Sequence, residues 1–215
     1  MKKKHRTQKQ RALRLGVWVV VLALAVVLSG IYTPLPQTLI RNAEVTRSCG
    51  ETQLIRKETL NHRPHYLTAN QNALLLTVGE FHPLLGWQQC TRSQLDLSQE
   101  DSLSVEILAT EPRMIRDPDK DILAIHYFGT APKEAASVLI RFPWVEDAEP
   151  KEIPTFLGED GQTYFWDWLT FPISARDEDS TYGHSKPLLV EALDQDGQVI
   201  ATCMHPRYYD GSPLT

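Results

Sequence analysis

The chain is constrained most strongly by a run of 18 residues, Leu15–Tyr32, that contains no charged side chain. In a helix this run rises about 27 Å, close to the ~30 Å hydrocarbon core of a bilayer. Trp18 and Tyr32 lie near its two ends, where interfacial aromatic side chains are enriched. The sequence therefore predicts one transmembrane helix over residues 15–32.

The two flanks of this run differ sharply in charge. Residues 1–14 hold seven lysines and arginines and no acid, whereas only Arg41 and Arg47 fall in the twenty residues after Tyr32. Because positive flanks stay inside, we expect a single-pass cell-membrane protein with a cytoplasmic tail (1–14), a signal anchor (15–32) and an extracytoplasmic remainder. A cleavable signal peptide, with Val27 and Ser29 at the cleavage site, is the alternative, and it exports the same remainder.

The remainder is acidic and rich enough in apolar residues to fold. The chain has 22 basic and 27 acidic residues in total, so from position 15 onward 15 basic residues face 27 acidic ones. This balance excludes a nucleic-acid partner, since neutralising phosphates requires a basic face. Hydrophobic residues make up 42% of the chain, which excludes an intrinsically disordered protein.

Residues 53–215 show the patterns of short antiparallel strands. Leu103–Ala109 alternates between apolar and polar residues, and Ile122–Phe128 is continuously apolar, as in a central strand. Asp160-Gly161 and Asp196-Gly197 predict hairpins with type I′ turns. The fourteen prolines argue against long helices.

These patterns predict a mainly β extracytoplasmic domain over residues 53–215, folded as an antiparallel β-sandwich. Thr33-Pro34-Leu35-Pro36 ends the membrane helix because proline cannot continue it. We expect residues 33–52 to be a juxtamembrane stalk. Within it, residues 37–48 are either a short helix or extended stalk.

Residues 121–203 resemble a known class of domain. Phe128–Pro132, the aromatic-flanked Asp160-Gly161, and Ala192–Ile200 with its acidic-glycine turn carry the resemblance. They are similar to Ig-like extracytoplasmic domains of small single-pass membrane proteins of Gram-positive bacteria. The resemblance implies a mainly β fold, an Ig-like sandwich preceded by one N-terminal transmembrane helix. It implies no catalytic residue.

The most distinctive candidate site is the aromatic run Tyr164–Trp168. In a strand, Tyr164, Trp166 and Trp168 share one face. Exposed, this face would stack sugar rings and make the three residues a ligand-binding site. The alternative is that the face forms part of the core, with Trp166 inside and Trp168 nearer the surface.

Catalytic and metal-binding motifs are absent from the sequence. It contains no G-x-S-x-G, phosphate-binding glycine loop, H-E-x-x-H or dinucleotide fingerprint. His62 and His65 have a ligand-like spacing, but Pro64 between them breaks the helix that would make them converge. The triad Asp117, Asp119 and Asp121 lacks the glycine and glutamate of a calcium loop. We therefore expect neither an enzyme nor a bound metal or cofactor.

Three cysteines, Cys49, Cys90 and Cys203, permit at most one disulfide or act as small buried side chains.

The sequence favours a non-catalytic sensing or interaction module with an unidentified membrane or cell-surface protein partner. The alternative is a carbohydrate- or cell-wall-binding module that uses the face of Tyr164, Trp166 and Trp168. An exposed aromatic face would support the glycan partner, and a buried one would remove its platform.

Overall fold

A computed structural model describes residues 8–28, 32–33, 35–60, 62–83, 86–97, 102–110, 122–143, 149–172 and 188–205. Two helices and twelve strands lie within these ranges. Every strand pairing is antiparallel. The prediction of a mainly β, antiparallel fold is confirmed.

The first helix, α1, runs over Gln8–Leu28. Its large apolar side chains from Leu13 to Leu22, together with Leu24, are each 47–71% exposed. Among the helices in the described part of the chain, none combines the length and the apolar character that crossing a bilayer requires.

Five strands form the N-terminal sheet, in the order β1-β5-β4-β3-β2. Their ranges are β1 Tyr32–Thr33, β2 Gln53–Leu60, β3 Arg63–Ala69, β4 Ala73–His82 and β5 Gly86–Asp96. The second helix, α2 (Gln37–Arg47), buries Leu39 and Ala43. A Cβ on Gly79 of β4 would stand 2.6 Å from the Leu39 side chain, so glycine there allows the helix to lie close to the sheet. Of the two alternatives for residues 37–48, the structure contains the helix.

Seven strands form the C-terminal sheet, in the order β12-β11-β8-β9-β10-β7-β6. Their ranges are β6 Ser104–Thr110, β7 Ile122–Ala131, β8 Ser137–Arg141, β9 Lys151–Leu157, β10 Thr163–Pro172, β11 Leu188–Leu193 and β12 Val199–His205. Residues 151–154 of β9 pair with β8, whereas residues 155–157 pair with β10. This change of partner folds the sheet over itself into two layers.

Two apolar cores lie on opposite sides of the β6-β7-β10 layer. The inner core fills the folded C-terminal sheet and includes Tyr127 and Phe165. The inter-sheet core lies between this layer and the N-terminal sheet and includes Phe128 and Trp166. Strands β7 and β10 are therefore covered on both faces, and the prediction of a central strand at Ile122–Phe128 is confirmed.

The hairpin at Asp196-Gly197 differs in type from the prediction. The Gly197 N–H donates to the Asp194 carbonyl at 3.1 Å, and the Asp194 N–H donates to the Gln198 carbonyl at 3.0 Å. Gly197 has φ +76°, while Asp196 has a negative φ. A type I′ turn needs positive φ at both positions, so the prediction was wrong. The turn is type I followed by a left-handed glycine.

Aspartate side chains explain this preference. Asp194 Oδ1 accepts from the N–H groups of Asp196 and Gln198, each at 2.9 Å, and so supports a three-residue loop. The Asp160-Gly161 hairpin repeats the pattern, with φ +81° at Gly161 and its N–H bonded to the Gly158 carbonyl at 3.0 Å. Both hairpins therefore use a single left-handed glycine.

The described cysteines take small-residue roles. Cys49 follows α2 with a free thiol, and Cys203 packs partly buried against the inner core. The side chain of Cys90 lies outside the described atoms.

We predict that Gly129 is required for space rather than for backbone conformation. An alanine Cβ there would overlap the Ser104 carbonyl oxygen and lie 2.7 Å from the Phe165 ring. Gly129→Ala should therefore lower the free energy of unfolding by about 1–3 kcal/mol. Chemical denaturation of the full-length chain measures this change.

Gly161→Asn is the matched control, since a side chain at Gly161 meets open space and asparagine tolerates a positive φ. It should change stability much less than Gly129→Ala. An equal effect of the two substitutions would contradict the close approach of β6 and β10 at Gly129.

Candidate functional site

The predicted aromatic face lies inside the molecule. Tyr164 and Trp166 are 1% and 4% exposed, and Trp168 packs half-buried against the same core. The N-terminal sheet covers this face of β10, because Leu67, Leu74 and Leu76 of β3 and β4 belong to the inter-sheet core. Tyr164 and Trp166 thus lie enclosed between the two sheets, while Trp168 keeps part of its surface exposed.

Two histidines lie beside these tryptophans. His65 of β3 and His126 of β7 are 2% and 0% exposed, and their rings are 4.7 Å apart. The Trp166 Nε1–H donates to His126 Nδ1 at 3.4 Å, so the proton of a neutral His126 resides on Nε2. The His65 Nδ1–H donates to the Arg63 carbonyl at 2.9 Å. These contacts place the histidine pair where the two sheets meet.

Burial keeps both histidines neutral at physiological pH. It lowers the pKa of His65 to about 4. Burial, with a smaller effect of the neighbouring His65, lowers the pKa of His126 to about 3. Neutral, enclosed imidazoles pack as polar core residues, and no side of the pair opens to a substrate.

A cleft of about 760 Å³ lies where the ends of the two sheets meet. Its volume falls within the range of ligand sites, which favour junctions between structural units. About half of its lining residues carry uncharged amide or hydroxyl side chains: Gln53, Asn70, Gln71, Ser102, Ser104, Thr130 and Gln162. Both sheets therefore contribute hydrogen-bonding groups to one cavity.

Tyr164 links the aromatic strand to this cleft. Its hydroxyl donates to Asp160 Oδ2 at 2.6 Å, while Asp160 Oδ1 accepts from the Gln162 N–H at 3.0 Å. Burial, together with the Asp160 carboxylate, raises the pKa of Tyr164 well above its usual value. The phenol therefore stays protonated and fixes the wall of the cleft.

Asn70 fixes the opposite wall. Its Nδ2 donates to the carbonyls of Cys49 and Glu51, at 2.6 and 3.2 Å. Its Oδ1 accepts from the N–H groups of Asn72 and Ala73, each at 2.9 Å. One side chain thus holds the chain after α2 against the β3–β4 turn.

The remaining amides and hydroxyls give the cleft its chemistry. Exposed Gln53, Gln71 and Ser102 offer donors and acceptors, while Lys133 adds one positive charge and Glu51 and Asp160 add two negative ones. Ala69, Leu97 and Ala131 supply apolar lining. Such a surface binds polar, mostly uncharged groups such as peptide amides or hydroxyls.

The candidate metal ligands do not converge where they are described. His62 is exposed with φ +61°, whereas His65 points into the inter-sheet core. No group of three histidine, cysteine or acidic side chains suited to a metal occurs within the described ranges. Asp117, Asp119 and Asp121 lie outside those ranges.

Sequence reasoning missed the cleft and the histidine pair. His126 carried a signal, because it is the one readily titratable side chain in the otherwise largely apolar run Ile122–Phe128. Its partner, His65, lies 61 positions earlier and was considered only as a metal ligand. The cleft brings together five separate segments whose polar residues look like ordinary loops.

We predict that the histidine pair makes stability depend on pH. The unfolded chain binds protons with histidine pKa values near 6.5, but the folded chain resists protonation down to about pH 4 and 3. Stability is therefore fully present above pH 6.5 and is lost as the pH falls below it. Between pH 7 and 4.5, we expect a loss of about 2–3 kcal/mol per histidine in urea unfolding.

Two variants isolate this effect from carboxylate titration. His65→Gln should remove one histidine's share of the loss. His62→Asn, at an exposed position whose positive φ asparagine tolerates, should retain all of it. A pH-dependent loss of the same size in His65→Gln as in the unmodified chain would contradict the neutral buried pair.

The chain was compared with known protein families, curated proteins and solved structures. A scan of protein-family models and searches of curated proteins and of solved structures found no match to the chain.

Proposed function

We propose that the chain is a membrane-anchored, non-catalytic interaction module. Its cleft, where the ends of the two sheets meet, binds a polar segment of a partner protein in the membrane or at the cell surface. The cleft of about 760 Å³ is the observation that carries this proposal. Its side chains offer hydrogen bonds on walls that Asn70 and Tyr164 hold in place. A preorganised polar cavity favours binding because little order is lost when the ligand enters.

We propose an Ig-like sandwich for the C-terminal sheet. In Ig domains the first, second, fifth and fourth strands form one sheet, and the third, sixth and seventh form the other. The order β6-β7-β10-β9 in one layer and β8-β11-β12 in the other supports this assignment. The N-terminal sheet and α2 are then an addition packed on the outside of the first layer.

We propose that α1 anchors the chain, with residues 1–14 cytoplasmic and the sheets extracytoplasmic. The large apolar side chains of α1 from Leu15 to Leu22, together with Leu24, are each 47–71% exposed, and a continuous exposed apolar surface of this kind favours an apolar environment. The uncharged run continues past the end of α1 to Tyr32, and the cations precede it.

The glycan-binding alternative finds less support. It relies on Tyr164, Trp166 and Trp168 as a stacking face, and two of these are at most 4% exposed. Exposing them would require the N-terminal sheet to separate from the inter-sheet core. A cleft rich in amides and hydroxyls supports hydrogen bonding to a partner instead.

Site-specific photo-crosslinking in intact cells tests the cleft. A photoreactive amino acid at Gln71 or at Gln162, on opposite walls, should give the same discrete adduct. The same amino acid at Thr202, exposed on β12, should not give it. Ser102→Trp should fill the cleft and abolish the adduct.

Thr202→Trp is the matched control and should leave the adduct unchanged. Equal crosslinking from Thr202, or none from either cleft position, would contradict the proposal. An adduct that a cell-wall hydrolase shortens would assign the cleft to a glycan and overturn the protein partner.

Carbonate extraction of membranes tests the anchor. The unmodified chain should stay in the pellet, whereas Val19→Lys combined with Leu22→Lys should release it. Each lysine near the centre of a span costs about 2.5–3.5 kcal/mol, which together offsets the gain from the apolar residues. Two lysines at exposed Thr202 and Met204 are the matched control and should leave the chain in the pellet. Complete extraction of the unmodified chain would contradict the anchor.

A further inference from the structure

A second cavity, of about 480 Å³, lies between α2 and β5. Arg41, Asn42 and Thr46 of α2 face Gln89 and Arg92 of β5 across it. Arg47, the last residue of α2, donates from Nη2 to the Arg92 carbonyl at 3.4 Å. Two arginines, Arg41 and Arg92, therefore line the cavity, and a third, Arg47, contacts the backbone of Arg92.

Two of the side chains that line this cavity each carry a buried donor without a partner. Neither Arg92 Nε nor Gln89 Nε2 is bonded to any group in the described part of the chain. A buried donor left unsatisfied costs free energy of folding, and the cost is greater when the group is charged. An acceptor entering the cavity would recover this free energy.

The arginine charges are also unbalanced. Arg41, Arg47 and Arg92 form no ion pair with a described acidic side chain. Glu44 of the same helix is held elsewhere, since its Oε1 accepts from the N–H and the hydroxyl of Thr52, at 2.7 and 2.6 Å. Burial and the nearby charge of Arg47 lower the pKa of Arg92. The cavity thus combines positive potential with free donors.

We propose that the cavity between α2 and β5 is a phosphate-binding site, in which Arg41 and Arg92 bind the phosphate oxygens and Gln89 donates a further hydrogen bond. Guanidinium groups match phosphate in charge and geometry. Phosphate offers several acceptor oxygens, enough for both orphaned donors. Arg47 supports the site by adding charge from its position on the Arg92 carbonyl.

The position of the cavity favours the headgroup of an anionic phospholipid, an assignment that rests on the proposed anchor. Gln88, which also lines the cavity, is the strand partner of Tyr32, only four residues after the end of α1. Four residues span at most about 14 Å. If α1 lies in the bilayer, the cavity lies near its surface, within reach of headgroup phosphates.

Native mass spectrometry of the full-length chain in nanodiscs tests the lipid source. From equal amounts of phosphatidylglycerol and phosphatidylcholine, the unmodified chain should retain phosphatidylglycerol preferentially. Arg92→Gln should lower this retention about tenfold or more. Arg56→Gln, on the distant strand β2, should leave it unchanged. The seven N-terminal cations are present in every variant, so their lipid contacts cancel from the comparison.

Thermal unfolding in phosphatidylcholine nanodiscs tests free phosphate as the source. Inorganic phosphate at 10 mM should raise the melting temperature more than chloride at the same ionic strength. Arg92→Gln should abolish the difference, and Arg92→Lys, which keeps the charge but loses the planar fork, should reduce it. Unchanged circular dichroism of both variants shows that they fold.

The outcomes separate the site from the anchor. Arg92-dependent stabilisation by phosphate in a chain that fails to enter nanodiscs supports the site and overturns the anchor. Phosphate stabilisation without lipid preference assigns the site to a soluble phosphate and overturns the headgroup assignment. If neither the stabilisation by phosphate nor the retention of lipid depends on Arg92, the site itself is overturned.

Discussion

The structure depends on the burial of both faces of the layer that contains β7 and β10. Tyr127 and Phe165 point into the inner core, while Phe128 and Trp166 point into the inter-sheet core. Each such side chain contributes about 1.5–3 kcal/mol when it leaves water, so neither sheet keeps its stability without the other. The N-terminal sheet and the C-terminal sheet therefore share one apolar core.

This shared layer also explains the two cavities. The cleft forms where the sheets diverge beyond the inter-sheet core, and polar side chains line it because water reaches it. The cavity between α2 and β5 lies on the opposite face of the N-terminal sheet, where α2 leaves part of β5 uncovered. A partner site and a phosphate site would thus lie on different surfaces of one rigid core, with the phosphate site next to the chain that leads to α1.

Sequence patterns predicted the strands but not their packing. The apolar run Ile122–Phe128 and the Asp-Gly pairs are local signals, and they correctly located a central strand and two hairpins. The predicted turn type was wrong because the Asp194 side chain, three positions before Gly197, stabilises a three-residue loop instead of a type I′ turn. The sequence pattern did not decide whether the face of Tyr164 and Trp166 is buried or exposed. Its burial depends on the N-terminal sheet, whose strands lie up to a hundred residues or more earlier in the chain. The contact between His65 and His126, and the position of Arg41 and Arg92 at one cavity, join distant segments, so no local pattern predicts which residues come together.

Hydrogen exchange of the full-length chain in nanodiscs, followed at increasing urea, tests the shared core most directly. The amides of β3 and β4 and those of β8 and β11 should lose protection at the same urea concentration. Trp166→Ala removes a side chain between the sheets and should lower both midpoints together, by a free energy of about 3–5 kcal/mol. Loss of protection in β3 and β4 alone, with β8 and β11 unchanged by Trp166→Ala, would show that the sheets are independent and would contradict this account.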